Sequence, residues 1–128
     1  MKFLLDTHTF IWWDNSPSKL SPVVLKLLKE KEHTVYLSLV SLWEIQIKLQ
    51  IGKLKFDSPL VEKVKNQRRT NNIRLLPITT EHIFALSHLP LHHRDPFDRL
   101  LIAQTTIEGT TLLSKDKMFE DYKVSLIW

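Results

Sequence analysis

Short apolar runs alternate with helical segments along the whole chain, and this alternation constrains the fold more than any other feature. Phe3-Leu4-Leu5 is apolar at every position and stops at Asp6, the pattern of a strand buried on both faces. Val35 to Leu39 is a second such run. Ile73 to Ile78 is strand-like, although Pro77 interrupts it, and Thr111 to Ser114 and Val124 to Ile127 are the last strand candidates. Helices fall between them. A short one passes through Phe10-Ile11-Trp12-Trp13. Ser21-Pro22 pairs an N-cap with proline at the first helical position, and Val23, Val24, Leu27 and Leu28 continue at helical spacing. Ser41 is placed to cap a third helix that carries Leu42, Ile45 and Leu49 and ends at Gly52. Ser58-Pro59 repeats the cap-plus-proline signal at the head of a basic helix running to about Asn71. A short helix opens at Thr79 or Thr80 and closes at Pro90. Asp95-Pro96 opens a stronger one, with Leu100, Leu101, Gln104 and Ile107 along it, until Gly109. Strands alternating with helices are joined by right-handed crossovers, so the expected class is α/β, a mostly parallel sheet with helices on both faces.

At 128 residues and 43% hydrophobic content the chain is expected to form one domain, residues 1–128, alone or as half of a dimer. It has no cysteine, which excludes disulfide frameworks and thiolate metal sites. Asp6 and His8 interrupt the N-terminal apolar run before a signal sequence would be complete, and no stretch is long enough for a membrane span, so a soluble cytoplasmic protein is expected. The net charge of +4 is unevenly distributed. Residues 45 to 80 hold eight cations, Lys48, Lys53, Lys55, Lys63, Lys65, Arg68, Arg69 and Arg74, against Asp57 and Glu62. A basic middle beside acidic ends suggests a phosphate-tracking surface next to an acidic pocket, with a solvated helix face as the plain alternative.

In parallel α/β sheets, sites gather outside the carboxyl ends of the strands. Asp6 ends the first strand, and Asp116 lies two residues beyond Leu112-Leu113-Ser114. Glu44 sits at the start of the helix after strand two, and Asp98 in the first turn of the helix opened by Asp95-Pro96. Neighbouring carboxylates repel and raise one another's pKa unless a cation offsets them. A hard oxygen-seeking ion, Mg²⁺ or Mn²⁺, is the natural occupant. Each acid also has an ordinary explanation. Ser41-Leu42-Trp43-Glu44 is a capping box, Asp98 is a favourable charge at a helix N-terminus, and Asp6 and Asp116 suit Asx turns.

The four segments Phe3-Leu4-Leu5-Asp6-Thr7-His8, Ser41-Leu42-Trp43-Glu44-Ile45, Asp95-Pro96-Phe97-Asp98-Arg99-Leu100-Leu101-Ile102-Ala103-Gln104 and Leu112-Leu113-Ser114-Lys115-Asp116-Lys117-Met118-Phe119 give the chain its strongest resemblance. In this order the chain resembles the PIN-domain ribonucleases, and within them the VapC-like toxins of bacterial toxin-antitoxin pairs. The resemblance covers essentially the whole chain. It implies an α/β/α sandwich and a divalent-metal site at Asp6, Glu44, Asp98 and Asp116, with a hydroxyl at Ser114. Asp6, Asp98 and Asp116 would be the likeliest ligands, and Glu44 would bind through water or help place the nucleophile. It further implies hydrolysis of RNA by metal-activated water, a cognate antitoxin bound across the site, and a homodimer. Asp95 adds a fifth acid, for which an N-cap role is sufficient.

Two other readings fit the same residues: a non-catalytic domain that binds RNA or protein, and a DNA-directed nuclease. His82, His88, His92 and His93 cluster in sequence, but Pro90 breaks the helix that would align them for zinc. Loop positions are expected, with His92, His93 and Arg94 able to approach phosphate or base. Trp12 and Trp13 are adjacent and cannot share one helix face, so one is expected in the core and the other exposed. Trp12 or Trp13, with the surface around Leu42 and Ile45, is a candidate seat for a partner segment.

Overall fold

The computed structural model describes residues 1–128. The wholly apolar N-terminal run becomes the central strand, β1 (Lys2–Leu5), in which Phe3, Leu4 and Leu5 are fully buried because both faces are covered. The other strands are β2 (Thr34–Ser38), β3 (Arg74–Leu76), β4 (Thr111–Leu113) and β5 (Leu126–Ile127). All neighbours are parallel, in the order β3-β2-β1-β4-β5, with Leu4 beside Tyr36 on one side and Leu112 on the other. The chain builds outward from β1 to β2 and β3, then crosses back to add β4 and β5. The order therefore reverses at β1, and a crevice opens at its carboxyl end.

Six helices connect the strands: α1 (Thr7–Asn15), α2 (Pro22–Lys29), α3 (Leu39–Gln50), α4 (Leu60–Asn71), α5 (Thr80–Ala85) and α6 (Pro96–Glu108). Successive residues of β1 face opposite ways and feed two cores. Phe3 and Leu5 pack with Phe10, Val24, Leu37 and Ile45, whereas Leu4 packs with Val40, Leu101, Ile102, Leu112 and Phe119. Each large side chain so buried stabilises the fold by about 1.5–3 kcal/mol. This is the expected three-layer arrangement. No helix is long and apolar enough to cross a membrane.

Some boundaries differ from the sequence reading. Strand β2 ends at Ser38, whose hydroxyl accepts from the Val40 amide at 3.0 Å, so the cap of α3 lies three residues before the Ser41 cap expected from sequence. Ser38 wins because its hydroxyl also donates to the buried Gln104 Oε1 at 2.6 Å, a contact from 66 residues away. Helix α4 begins at Leu60 behind Pro59, and Ser58 makes no cap. Helix α6 matches its local signals: Asp95 accepts from the Phe97 and Asp98 amides, and Gly109 closes it with φ +64°, where an L side chain is strained.

Candidate active site

Asp6 leaves β1 and becomes the N-cap of α1, accepting from the Thr9 amide at 2.7 Å. Its other oxygen accepts from the Ser114 hydroxyl. The same junction is fastened to the end of β4, since the Asp6 amide and the Thr9 hydroxyl both donate to the Leu113 carbonyl, at 3.2 and 2.8 Å. Ser114 is therefore a positioning hydroxyl: it donates to Asp6 while accepting from the Asp116 amide at 3.0 Å. Asp116 caps the following 3₁₀ turn, Lys117–Asp121, and remains exposed. Asp6 and Asp116 share a pocket of about 200 Å³ with His8, Trp12 and Lys115. Burial raises the Asp6 pKa above the usual carboxylate value, opposed by the hydrogen bonds from Ser114 and Thr9.

The second pair of acids, Glu44 and Asp98, is reached through Thr7 at the start of α1. Thr7 Oγ1 sits 2.7 Å from Glu44 Oε1 and 3.1 Å from Ser41 Oγ, so the residue after Asp6 orients Glu44. Because α3 starts at Leu39, Glu44 is in its second turn and the capping-box explanation falls. Its other oxygen meets Lys48 Nζ at 2.9 Å, the favourable Glu-to-Lys spacing of one helical turn. Asp98 occupies the first turn of α6, with Oδ2 3.2 Å from His93 Nε2. Burial, then the negative charges of Asp95 and Glu44, push its pKa up to about 6, with His93 acting the other way.

Two pairs of carboxylates thus stand near the carboxyl end of β1, Asp6 and Asp116 in the pocket and Glu44 and Asp98 beside it, joined through Asp6 and its neighbour Thr7. No three of Asp6, Glu44, Asp98 and Asp116 have oxygens within 4.8 Å of one another. The tight group here is His93, Asp95 and Asp98. The donor set still suits a hard divalent cation. All four acids offer oxygen, and Asp6 is pushed toward the neutral form by burial and Asp98 by burial and like charge, which a cation would reverse. Mg²⁺ keeps several waters and binds through one or two carboxylates, so it does not need all four in contact.

Other expectations change. Lys63 is not a free surface cation: it is buried, with its ammonium 2.8 Å from both Asp14 Oδ2 and Asp57 Oδ1, and these partners raise its pKa. Ile45 is fully buried and offers no surface. Trp12 and Trp13 are both half-buried, and the exposed tryptophan is Trp43, set edge-on against Phe97 at 5.1 Å. His82 is not a loop residue. It is fully buried in α5, accepting from the Thr79 amide and paired with Glu108 at 2.8 Å. Thr7 and His93 entered the site without being singled out in this role. Their sequence signals are adjacency to Asp6 and a position five residues before Asp98.

The sequence matches the model of the PIN domain over residues 3–124. It is 23% identical over 121 residues to ribonuclease VapC22 of Mycobacterium tuberculosis, covering 94% of this chain and 91% of that protein. Among solved structures, VapBC2 of Rickettsia felis bound to a DNA fragment from its promoter contains a chain with TM-score 0.76 at 19% identity, with 99% of this chain and 98% of that one covered. DNA-bound VapBC of Salmonella typhimurium gives 0.70 at 16%, with 99% and 97% covered, and FitAcB of Neisseria gonorrhoeae gives 0.64 at 18%, with 98% and 96% covered.

Proposed function

We propose, from the premise that this chain belongs to the PIN-domain family, that it is a single-domain cytoplasmic endoribonuclease dependent on a divalent metal, and the toxin of a toxin-antitoxin pair. The observation that carries the nuclease reading is Asp98. A carboxyl half-buried among Asp95 and Glu44 and raised to about 6 is an arrangement that costs stability and is relieved by a cation. Asp6, Asp98 and Asp116, with Glu44 through water, would hold Mg²⁺ or Mn²⁺, which would supply a water of lowered pKa and neutralise phosphate charge. Asp6 is aimed by Ser114 and the Thr9 amide. Glu44 is held by Thr7 and balanced by Lys48, leaving it able to place the attacking water. His93 steadies Asp98 from the loop side.

The toxin reading draws support from similarity to ribonuclease VapC22 and to chains from toxin-antitoxin structures. A partner antitoxin would bring an Arg or Lys into the acidic crevice. The exposed Trp43 and Leu39 on α3, beside Asp98 through Phe97, offer it an apolar seat, and a homodimer of this chain would stand at the centre of the complex. The deciding experiment incubates the chain with end-labelled RNA and DNA of matched sequence in Mg²⁺ or in EDTA. RNA cleavage that needs Mg²⁺ and disappears in Asp6→Asn and Asp98→Asn is expected. Full activity in EDTA, or in either variant, would overturn the assignment, and preferential cleavage of the DNA would change the substrate.

A further inference from the structure

The acidic pocket does not end at Asp6 and Asp116. Two of its lining residues, His8 and Trp12, also line a second hollow of about 460 Å³ together with Asn15, Lys19, Lys48 and Lys53. The two hollows therefore form one groove leading away from the carboxylates, with the Trp12 ring at their junction. Lys19 and Lys115 each place an ammonium 6.0 Å from the centroid of that ring, one in each hollow. Lys19, Lys53 and Lys115 are exposed and none is within ion-pair distance of a carboxylate, unlike Lys48, which answers Glu44. Unpaired lysines around an aromatic platform are what a single strand of nucleic acid requires, since the phosphates meet cations while a base stacks on the ring.

The rival surface is the basic helix. With Lys63 buried, its remaining cations Lys65, Arg68 and Arg69 line a separate hollow with Asn72, Ile73, Arg74 and Leu75. That hollow shares no residue with the acidic pocket and contains no aromatic ring. Phosphates bound there would not be led to Asp6. We propose that single-stranded RNA enters along the Trp12 groove, its backbone on Lys19, Lys53 and Lys115 and one base stacked on Trp12, which delivers the next phosphate to the carboxylates. The identity of the ligand rests on the nuclease reading, whereas the groove itself does not.

The test is equilibrium binding of a fluorescent single-stranded RNA to the whole chain in EDTA, where no cleavage intervenes, over a range of salt. Replacing Lys19, Lys53 and Lys115 together by Gln should lower the slope of log affinity against log salt by about 2, at roughly 0.7 per phosphate contact on a single strand. The matching change at Lys65, Arg68 and Arg69 should leave it unaltered. Trp12→Leu should weaken binding roughly tenfold and Trp12→Tyr should restore most of it. Because Trp12 also packs against the core, the lysine variants decide the question if Trp12→Leu does not fold. A slope unaffected by the groove lysines, a slope lowered by the helix α4 variants instead, or tighter binding of a duplex of the same sequence would overturn the proposal. RNA bound in the groove without Mg²⁺-dependent cleavage would remove the nuclease reading and leave the groove standing. Cleavage with an unaltered slope would do the reverse.

Discussion

Asp98 must be ionised to hold a cation, yet burial and the charges of Asp95 and Glu44 all favour its neutral form. That conflict has a measurable consequence for stability. Between the ordinary value of 3.8 and the folded value of about 6, the folded chain retains a proton that the unfolded chain has released. Without metal, the contribution of Asp98 is therefore full below pH 3.8 and is lost as pH rises through about 6, by at most about 3 kcal/mol. Asp6, also raised by burial, acts in the same direction. Asp98→Asn should flatten the fall in melting temperature across this window in EDTA and raise the melting temperature at pH 7. Parallel curves for the two proteins would show that the charge at Asp98 is not under strain. Mg²⁺ needs the ionised carboxylate, so its stabilisation of the wild-type chain should grow as pH rises and be much smaller in Asp98→Asn.

At the level of elements, the placement of Glu44 depends on where α3 begins, and two serines compete for that role. Ser38 caps the helix and also satisfies the buried Gln104, whereas Ser41 accepts only a longer contact from Thr7, whose hydroxyl still reaches Glu44 without it. Ser38→Ala should cost about 2 kcal/mol, from the lost cap together with an unsatisfied amide oxygen, and Ser41→Ala less than about 1 kcal/mol. Urea denaturation measures both, and the reverse ranking would place the helix start at Ser41. The same comparison shows what the sequence could reveal. Strand β1 was legible because every residue of Phe3-Leu4-Leu5 is apolar, and α6 because Asp95-Pro96 and Gly109 are local signals at its two ends. The position of Asp6 and Asp116 at strand ends followed directly, and with it half of the candidate site. Ser38 was not legible as a cap, because Gln104 selects it from 66 residues away. Lys63 read as one more surface cation because Asp14, which takes its charge, is 49 residues distant. Local patterns carry periodicity and caps. They carry no information about which distant side chain will occupy a neighbouring space.

For the molecule as a whole, the reversal of strand order at β1 places Asp6, Asp116 and the Trp12 groove at one open crevice. Nothing in residues 1–128 covers it: His8, Lys115 and Asp116 all remain exposed at its mouth. If the chain is the metal-dependent ribonuclease proposed above, so open a site would cleave the RNA of its own cell unless another molecule closed the crevice. Expression of the chain alone should therefore arrest growth, and Asp98→Asn, folded to the same extent, should not. Co-expression with its cognate antitoxin should restore growth and give a complex that survives purification. Because the inhibitor is proposed to reach into an acidic crevice and to rest on Trp43, Trp43→Ala should weaken the complex while leaving RNA cleavage in vitro intact. Growth arrest in the Trp43→Ala strain despite the partner, with cleavage unchanged, would locate the contact. If the wild-type chain proves harmless at levels where it is folded, abundant and supplied with Mg²⁺, the toxin assignment fails, and the cleavage assay then decides whether the nuclease assignment stands without it.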